Sequence, residues 1–265
     1  MKNNTPLENH LAALSITVFQ KEHLEFLYTY ASQEGWYVEK THMQCQFKMY
    51  PNDFFIAYRE DTLVGFVLAT KESDSLGFIS TLLVLKEFRG RGYGKTLLKH
   101  AISHLGTRQI ALNSIVNKEN LYKKFDFTAY FDVITYTFVV GSVSINQEVI
   151  NALTISTKIE RKEQPPYMQC LLQQKDIHFQ TVYKKNSLSS LGFFLLFKDG
   201  YKIVLQSSDI NEALILFFSL MKSIKNGTPV YMEVAKTKPL LIALVEYLNM
   251  KEYERTTRMY NKILD

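Results

Sequence analysis

"FRGRGYGKT", residues 88–96, decides how this chain is read. It follows the apolar run "FISTLLVL" (78–85) and precedes "LLKHAISHL" (97–105). A strand, a glycine-rich turn and a helix in that order make an anion cradle: backbone N–H groups at the helix start point at the ligand, and glycine lets the main chain approach it closely. Three phosphate-bearing ligands compete for such a loop. A P-loop needs G-x-x-x-x-G-K-[ST]. Gly94, Lys95 and Thr96 supply its ending, but Arg89 stands where the first glycine belongs and Gly90 comes one residue late. The strand "IALNSIV" (110–116) also offers no Asp for magnesium, which counts against a nucleoside triphosphate. A dinucleotide loop, G-x-G-x-x-G, begins well at Gly90 and Gly92, but Lys95 takes the place of its third glycine. The third spacing, R-x-x-G-x-G, is met in full by Arg89, Gly92 and Gly94.

Working outward, "LSITVF" (14–19) alternates and is β-branched, as a strand does, and "KEHLEFLYTYASQ" (21–33) places Leu24, Leu27, Tyr28 and Ala31 at helical spacing. Gly35 stops that helix, and "THMQCQFKMY" (41–50) reads as a second, shorter one. "DFFIAYRE" and "TLVGFVLATKE" flank a tight Glu60–Asp61 turn, which predicts a hairpin. "GKTLLKHAISHL" (94–105) is amphipathic; "RQIALNSIV" (108–116) reads as a strand, "KENLYKKF" (118–125) as a short helix, and "FTAYFDVITYTFVV" (127–140) as β-structure broken in the middle. A meander feeding a βαβ crossover predicts a mixed α/β (α+β) sheet rather than a doubly wound one. Residues 142–190 read as a linker with helical segments: "NQEVINALTISTKI" (146–159) looks helical, and "ERKEQPP" (160–166) breaks it. From 191 onward the order is β-β-α-β-α-β, with a hairpin turning at Asp199-Gly200 and a helix capped by Ser208 or Asp209.

The segment "LLVLKEFRGRGYGKTLLKHAI" (82–102) resembles the coenzyme A pyrophosphate element of the GCN5-related N-acetyltransferase (GNAT) superfamily, and "LYKKFDF" (121–127) is similar to that family's L-Y-x-K-x-G-F segment. The resemblance extends over residues 14–140. It implies a GNAT domain over 1–141, a linker over 142–190, and a degenerate GNAT-like half-domain over 191–265 with "SSDI" (207–210) where a pyrophosphate loop would stand. The closing string "TTRMYN" (256–261) is similar to the tail of the GNAT subgroup with such a second domain.

The resemblance implies acetyl-CoA as co-substrate, held by Leu82, Leu83 and Val84 of the fourth strand and by the loop residues Arg89, Gly90, Arg91, Gly92, Tyr93, Gly94, Lys95 and Thr96. Acyl transfer from a thioester to an amine needs a base for the amine, donors for the developing oxyanion and an acid for the leaving thiolate. By resemblance a backbone N–H of a bulged fourth strand, near Leu83 or Val84, serves the oxyanion, and Tyr122 is the acid. The phenol and thiol pKa values, near 10 and 8.5, are close enough for that transfer. Glu34, beside Glu39 and the sole tryptophan, Trp36, is the candidate base, and Trp36 the candidate wall of the acceptor pocket. Two residues depart from the family pattern. Asp126 replaces a glycine at a position Asp still tolerates in the left-handed conformation. Asn113 replaces an acidic residue and cannot accept a proton. The implied function is an acetyl-CoA-dependent N-acetyltransferase acting directly on a small-molecule amine; the alternative is a catalytically impaired acyl-CoA-binding sensor or interaction module.

Bulk properties agree with this reading. Of 265 residues, 46% are hydrophobic and 13% aromatic, enough for packed cores. The net charge of +5 is spread along the chain, where a nucleic-acid binder would concentrate it, so no nucleic-acid partner is expected. The polar N-terminus shows no signal peptide, and "ALILFFSLM" (213–221) is too short to span a bilayer, so no membrane partner and a cytoplasmic location are expected. Cys45 and Cys170 lack metal-site or framework spacing and read as two reduced thiols; His100 and His104, one turn apart without a third ligand, read as helix surface and no metal site. The oligomeric state is not legible.

Overall fold

The computed structural model describes residues 14–142, 155–157, 159, 164–184 and 187–262. Most of the expected helix over "NQEVINALTISTKI" (146–159) lies outside them, and its described Ile155–Ser156 is strand. The chain divides into two compact units, one taking in the described residues up to Glu34 with Tyr50–Ile110, the other Gly35–Met49 with the described residues from Ala111 on.

In the first unit, β1 (Ser15–Val18), β2 (Phe54–Arg59), β3 (Thr62–Thr70) and β4 (Leu76–Val84) form an antiparallel meander in chain order. The β2–β3 turn falls at Glu60 and Asp61, with Glu60 at φ 53°. α1 (Leu24–Gln33) buries Leu24, Leu27, Tyr28 and Ala31, the four positions its periodicity selects, and ends at Gly35, whose φ is 73°. α3 (Tyr93–Leu105) packs its Leu97, Leu98, Ala101 and Leu105 face toward β3 and β4. His104, read from sequence as helix surface, instead meets Asp53 at 2.7 Å, because Asp53 sits at the mouth of β2 beneath that helix end.

β5 (Gln109–Ile115) carries the chain into the second unit. There the strand order is β5, β12, β6, β11, β10, β9, β8, β7. β6 is Thr128–Val139, β7 Ile155–Ser156, β8 His178–Lys184, β9 Ser187–Phe197, β10 Gly200–Gln206, β11 Pro229–Ala235 and β12 Lys251–Tyr260. All described pairs are antiparallel except β10 with β11. One sheet face is covered by the helices Ile210–Met221 and Pro239–Tyr247, here α6 and α7, over a core that includes Phe194, Ile203, Phe217, Met232 and Leu244. The other face carries α2 (Lys40–Met49) and α5 (Pro166–Leu171), whose residues cluster with Leu191, Phe193 and Leu195. Because both faces of β9 are covered, it reads as the unbroken apolar run "LGFFLLF" rather than an alternation.

Four local expectations are corrected. β6 is one twelve-residue strand; the apparent break is a bulge at Tyr130, which the register with β12 skips. The stretch expected to be linker contains a strand, β8, paired along β9, as well as the helix α5. The β9–β10 turn lies at Lys198 and Asp199, since Gly200 already pairs with Phe197. Gly200 is needed there for another reason: a Cβ on it would stand 1.8 Å from the carbonyl oxygen of Pro229 on β11. Finally, Cys45 of α2 and Cys170 of α5 are joined in a disulfide. Their separation of 125 residues hid the pairing from any spacing rule; the packing of α2 on α5 creates it. Among the described residues no helix is long and apolar enough to cross a membrane, and no group of three His, Cys, Asp or Glu could hold a metal.

Candidate active site

β4 is bulged where the site would need it. Phe66 pairs with Leu83 but Leu68 pairs with Ser80, so β4 spends one residue more than β3 between them. Thr81 absorbs it at φ 49°, a strained conformation for a β-branched residue. The irregularity is centred on Thr81 and Leu82, upstream of the expected Leu83 and Val84. Sequence reasoning missed Thr81, because nothing in "ISTLL" marks a left-handed threonine.

After β4 the chain makes a short 3-10 turn (Lys86–Phe88) and enters the glycine loop. Gly90 and Gly92 have φ of 75° and 86°, and a Cβ on either would meet nothing within 4 Å. The glycines therefore serve backbone conformation and leave open space above the loop. Gly92 is the N-cap of α3, and no side chain caps that helix. Its carbonyl accepts from the N–H groups of Lys95 and Thr96. The start of α3 thus keeps the partial positive charge of its dipole uncompensated by any carboxylate. Such a terminus, flanked by Arg91 and Lys95, fits a pyrophosphate. Tyr93 contributes to it through its main chain only, for its side chain is buried, 4% exposed, and edge-on to Phe88.

The second unit has a strand and helix in the same order, β10 then α6, with the opposite chemistry. Asp209 caps α6, accepting from the N–H groups of Asn211 (2.8 Å) and Glu212 (3.3 Å). Glu212 in the first turn is fully buried, receives hydrogen bonds from the hydroxyls of Ser189 and Ser190, and is ion-paired with Lys184. Those bonds hold its carboxyl below the usual range despite burial. This helix start carries its own anions and would repel another.

Arg89, the first residue of the R-x-x-G-x-G spacing, points back into its own unit. Its Nε donates to the carbonyl of Val84 at 2.8 Å, and its Nη2 lies 2.7 Å from Oε1 of Glu34. Glu34, the expected base, sits just past the end of α1, where its N–H bonds to the carbonyls of Tyr30 and Ala31. Glu34 lines a small hollow together with Tyr30, Gln33, Leu85, Lys86 and Glu87. Glu39, its neighbour in sequence, caps α2 through the N–H groups of Thr41 and His42, and burial raises its pKa. Trp36 is half-buried in the α1–α2 connection.

Tyr122 lies on α4 (Glu119–Lys123). It is half-buried, its ring edge-on to Phe127 at 6.2 Å, and burial raises its pKa, so the phenol keeps its proton well past neutral pH. The turn after α4 is intact: Asp126 adopts φ 64°, and the N–H groups of Phe125 and Phe127 return to the carbonyl of Tyr122. The string "TTRMYN" acquires a physical job. Thr257 donates to Glu119 at 3.0 Å and so ties α4 to β12, Arg258 donates to Asn113 at 2.6 Å, and Met259 is fully buried. Asn113 is therefore an acceptor for Arg258, a role its uncharged amide fills without demanding a proton.

Residues 17–127 match the acetyltransferase (GNAT) family. A curated relative, the holothin acyltransferase of Pseudoalteromonas sp. (strain SANK 73390), is 25% identical over 111 residues, covering 42% of this chain and 38% of that protein. The match thus spans well under half of that relative's length. Among solved structures, a proposed acetyltransferase from Pyrococcus horikoshii superposes with a TM-score of 0.72 at 13% identity, over 97% of this chain and 92% of that one. A tandem GNAT protein from the clavulanic acid biosynthesis pathway gives 0.67 at 11% identity, over 96% and 100%. These identities speak for a shared fold, and the tandem protein for the two-domain layout. The match to the GNAT acetyltransferase family thus covers residues 17–127, and the chain shares its fold with GNAT proteins, a tandem one among them.

Proposed function

We propose that the chain is an acetyl-CoA-dependent N-acetyltransferase that passes the acetyl group directly to the amine of a small molecule. The observation that carries this reading is the uncapped start of α3 behind the glycines 90 and 92, set against the self-capped start of α6. In the reading, the main chain from Arg89 to Thr96 takes the pyrophosphate, with Arg91 and Lys95 adding charge. The stretch of β4 from Leu82 to Val84, beside the irregularity at Thr81, offers main-chain donors to the thioester carbonyl, where negative charge develops. Tyr122 gives its proton to the departing thiolate. A tyrosine kept protonated by burial suits an acid better than a base. Trp36 serves as a wall of the acceptor pocket. The spread of charge along the sequence favours a small acceptor over a macromolecular one.

The test measures coenzyme binding and thiol release separately. Wild-type protein is titrated with acetyl-CoA and CoA, with ATP and magnesium as the control, and then assayed for thiol release against a panel of amines. Tyr122→Phe is expected to bind coenzyme as the wild type does and to lose about 10²–10³ in turnover. Binding by the wild type without turnover on any amine would instead support the sensor reading. Binding of ATP in place of CoA would sink the coenzyme assignment.

A further inference from the structure

We infer that Glu34 is a positioning residue that sets coenzyme affinity through Arg89, rather than the base for the amine. The inference rests on the coenzyme reading of the glycine loop. It starts from two contacts made by one guanidinium. Arg89 Nε donates to the carbonyl of Val84, the last residue of β4, at 2.8 Å, which closes the turn from Val84 to Arg89 on itself. Arg89 Nη2 meets Glu34 at 2.7 Å. A side chain held at two points, one of them main chain, has lost most of its rotamer freedom before any ligand arrives.

Glu34 is well placed to be the fixed partner. It is the residue at which α1 ends, its N–H bonded back into the helix and its successor, Gly35, turned at φ 73°. Its side chain is 18% exposed against 44% for Arg89, so the carboxylate is the anchored end of the pair and the arginine the end being held. The consequence falls on the loop. Gly90 and Gly92 are both in the left-handed region, and a Cβ on either would meet nothing within 4 Å, so no side-chain packing holds this turn; the Gly92 carbonyl is bonded into α3. The Arg89 staple stands immediately before Gly90 and restrains it from one side, as the first turn of α3 does from the other. A carboxylate already engaged by a guanidinium must give up that pair to accept a proton from an amine, which argues against the base role from the same contact.

The test is a double-mutant cycle on the full chain, read by CoA binding and by the split between KM and kcat. Glu34→Gln keeps the shape of the side chain and removes its charge. It is expected to weaken CoA binding about fivefold, the worth of about 1 kcal/mol for a partly exposed ion pair. KM for acetyl-CoA rises with it, while kcat and the acidic limb of its pH profile stay as in the wild type. Arg89→Ala weakens binding as well, and the Glu34→Gln/Arg89→Ala protein binds no more weakly than Arg89→Ala alone, because one residue acts through the other. Glu34→Gln binding CoA as tightly as the wild type, or more tightly, overturns the inference. So does a fall in kcat with loss of the acidic limb at unchanged KM for acetyl-CoA, which returns Glu34 to the base role. The wild-type titration separates the two levels: failure of wild-type protein to bind CoA at all overturns the coenzyme reading itself.

Discussion

At the scale of single residues, the proposed coenzyme site is made of main chain, and side chains mostly shape it. Gly92 is the clearest instance. At φ 86° it starts α3 without a capping side chain, and the first turn of that helix is left open to an anion. Replacing it by alanine forces an L side chain into the left-handed region at a cost of about 1–2 kcal/mol. Gly92→Ala is expected to weaken CoA binding about tenfold, as measured by titration, since relaxation of the loop withdraws the N–H groups that the proposed function assigns to the pyrophosphate. Gly92→Ala binding CoA like the wild type would show that the loop's conformation is not what holds the ligand. The residue scale is also where sequence was most legible. The R-x-x-G-x-G spacing, the αL position of Asp126 and the cap at Asp209 could all be read, because each is fixed by a local backbone requirement. Thr81 could not, since its strain comes from the register of β4 on β3 and not from its neighbours in sequence. Nor could the partners of Glu34 and Asn113, which are Arg89 and Arg258, far along the chain.

At the scale of elements, the unexpected feature is how α2 is held. Its sequence pattern is weakly amphipathic, and propensity alone would leave a ten-residue helix marginal. Its stability comes from tertiary ties within the second unit: the Cys45–Cys170 disulfide to α5, a contact of His42 Nδ1 with the hydroxyl of Tyr167, and a 2.8 Å hydrogen bond from Thr41 to Asp176. Both sulfurs are buried in the cluster formed with Leu191, Phe193 and Leu195. A bridge closing a loop of 125 residues restricts the unfolded chain strongly. Its loss is expected to cost about 2–4 kcal/mol. For a protein of this size that lowers Tm by about 5–15 °C. Comparing Tm with and without a thiol reductant, in the wild type and in Cys45→Ser, checks this. The reductant should lower the wild type to the level of Cys45→Ser and leave the variant unchanged; equal Tm values for all four samples would mean the bond adds nothing. Sequence could not foretell this tie, because two cysteines without a motif carry no pairing information. It did foretell β9, α6 and α7, whose apolar runs are long enough to be read from composition.

At the scale of the whole molecule, the second unit is assembled from distant parts of the chain. β12, from the end, lies between β5 and β6, and α2, from the first part of the sequence, covers the sheet face beside α5. Residues that fold late in sequence order therefore complete the surroundings of residues that come early, and α4 with Tyr122 is tethered to β12 by Thr257. The same assembly buries ionisable groups that a local reading leaves at the surface. His42 is the sharpest case. Burial, with the Lys202 ammonium adding to it and Glu233 opposing, lowers its pKa from 6.5 to about 4. Tyr167 faces the ring directly, and Glu39 and Asp176 stand beside α2. The folded protein thus holds His42 neutral in a range where the unfolded chain takes up a proton. The stabilisation from the neutral ring is complete above pH 6.5 and is lost progressively as the pH falls toward 4. Between pH 7 and pH 5 this one group should cost about 2 kcal/mol of stability. Urea unfolding of the wild type at the two pH values is expected to show that loss, and His42→Gln, which cannot titrate, to show a smaller one at unchanged slope. An identical loss in both proteins would mean that His42 charges as freely in the folded state as in the unfolded one, and that the packing of α2 against α5 and the sheet does not exclude a proton.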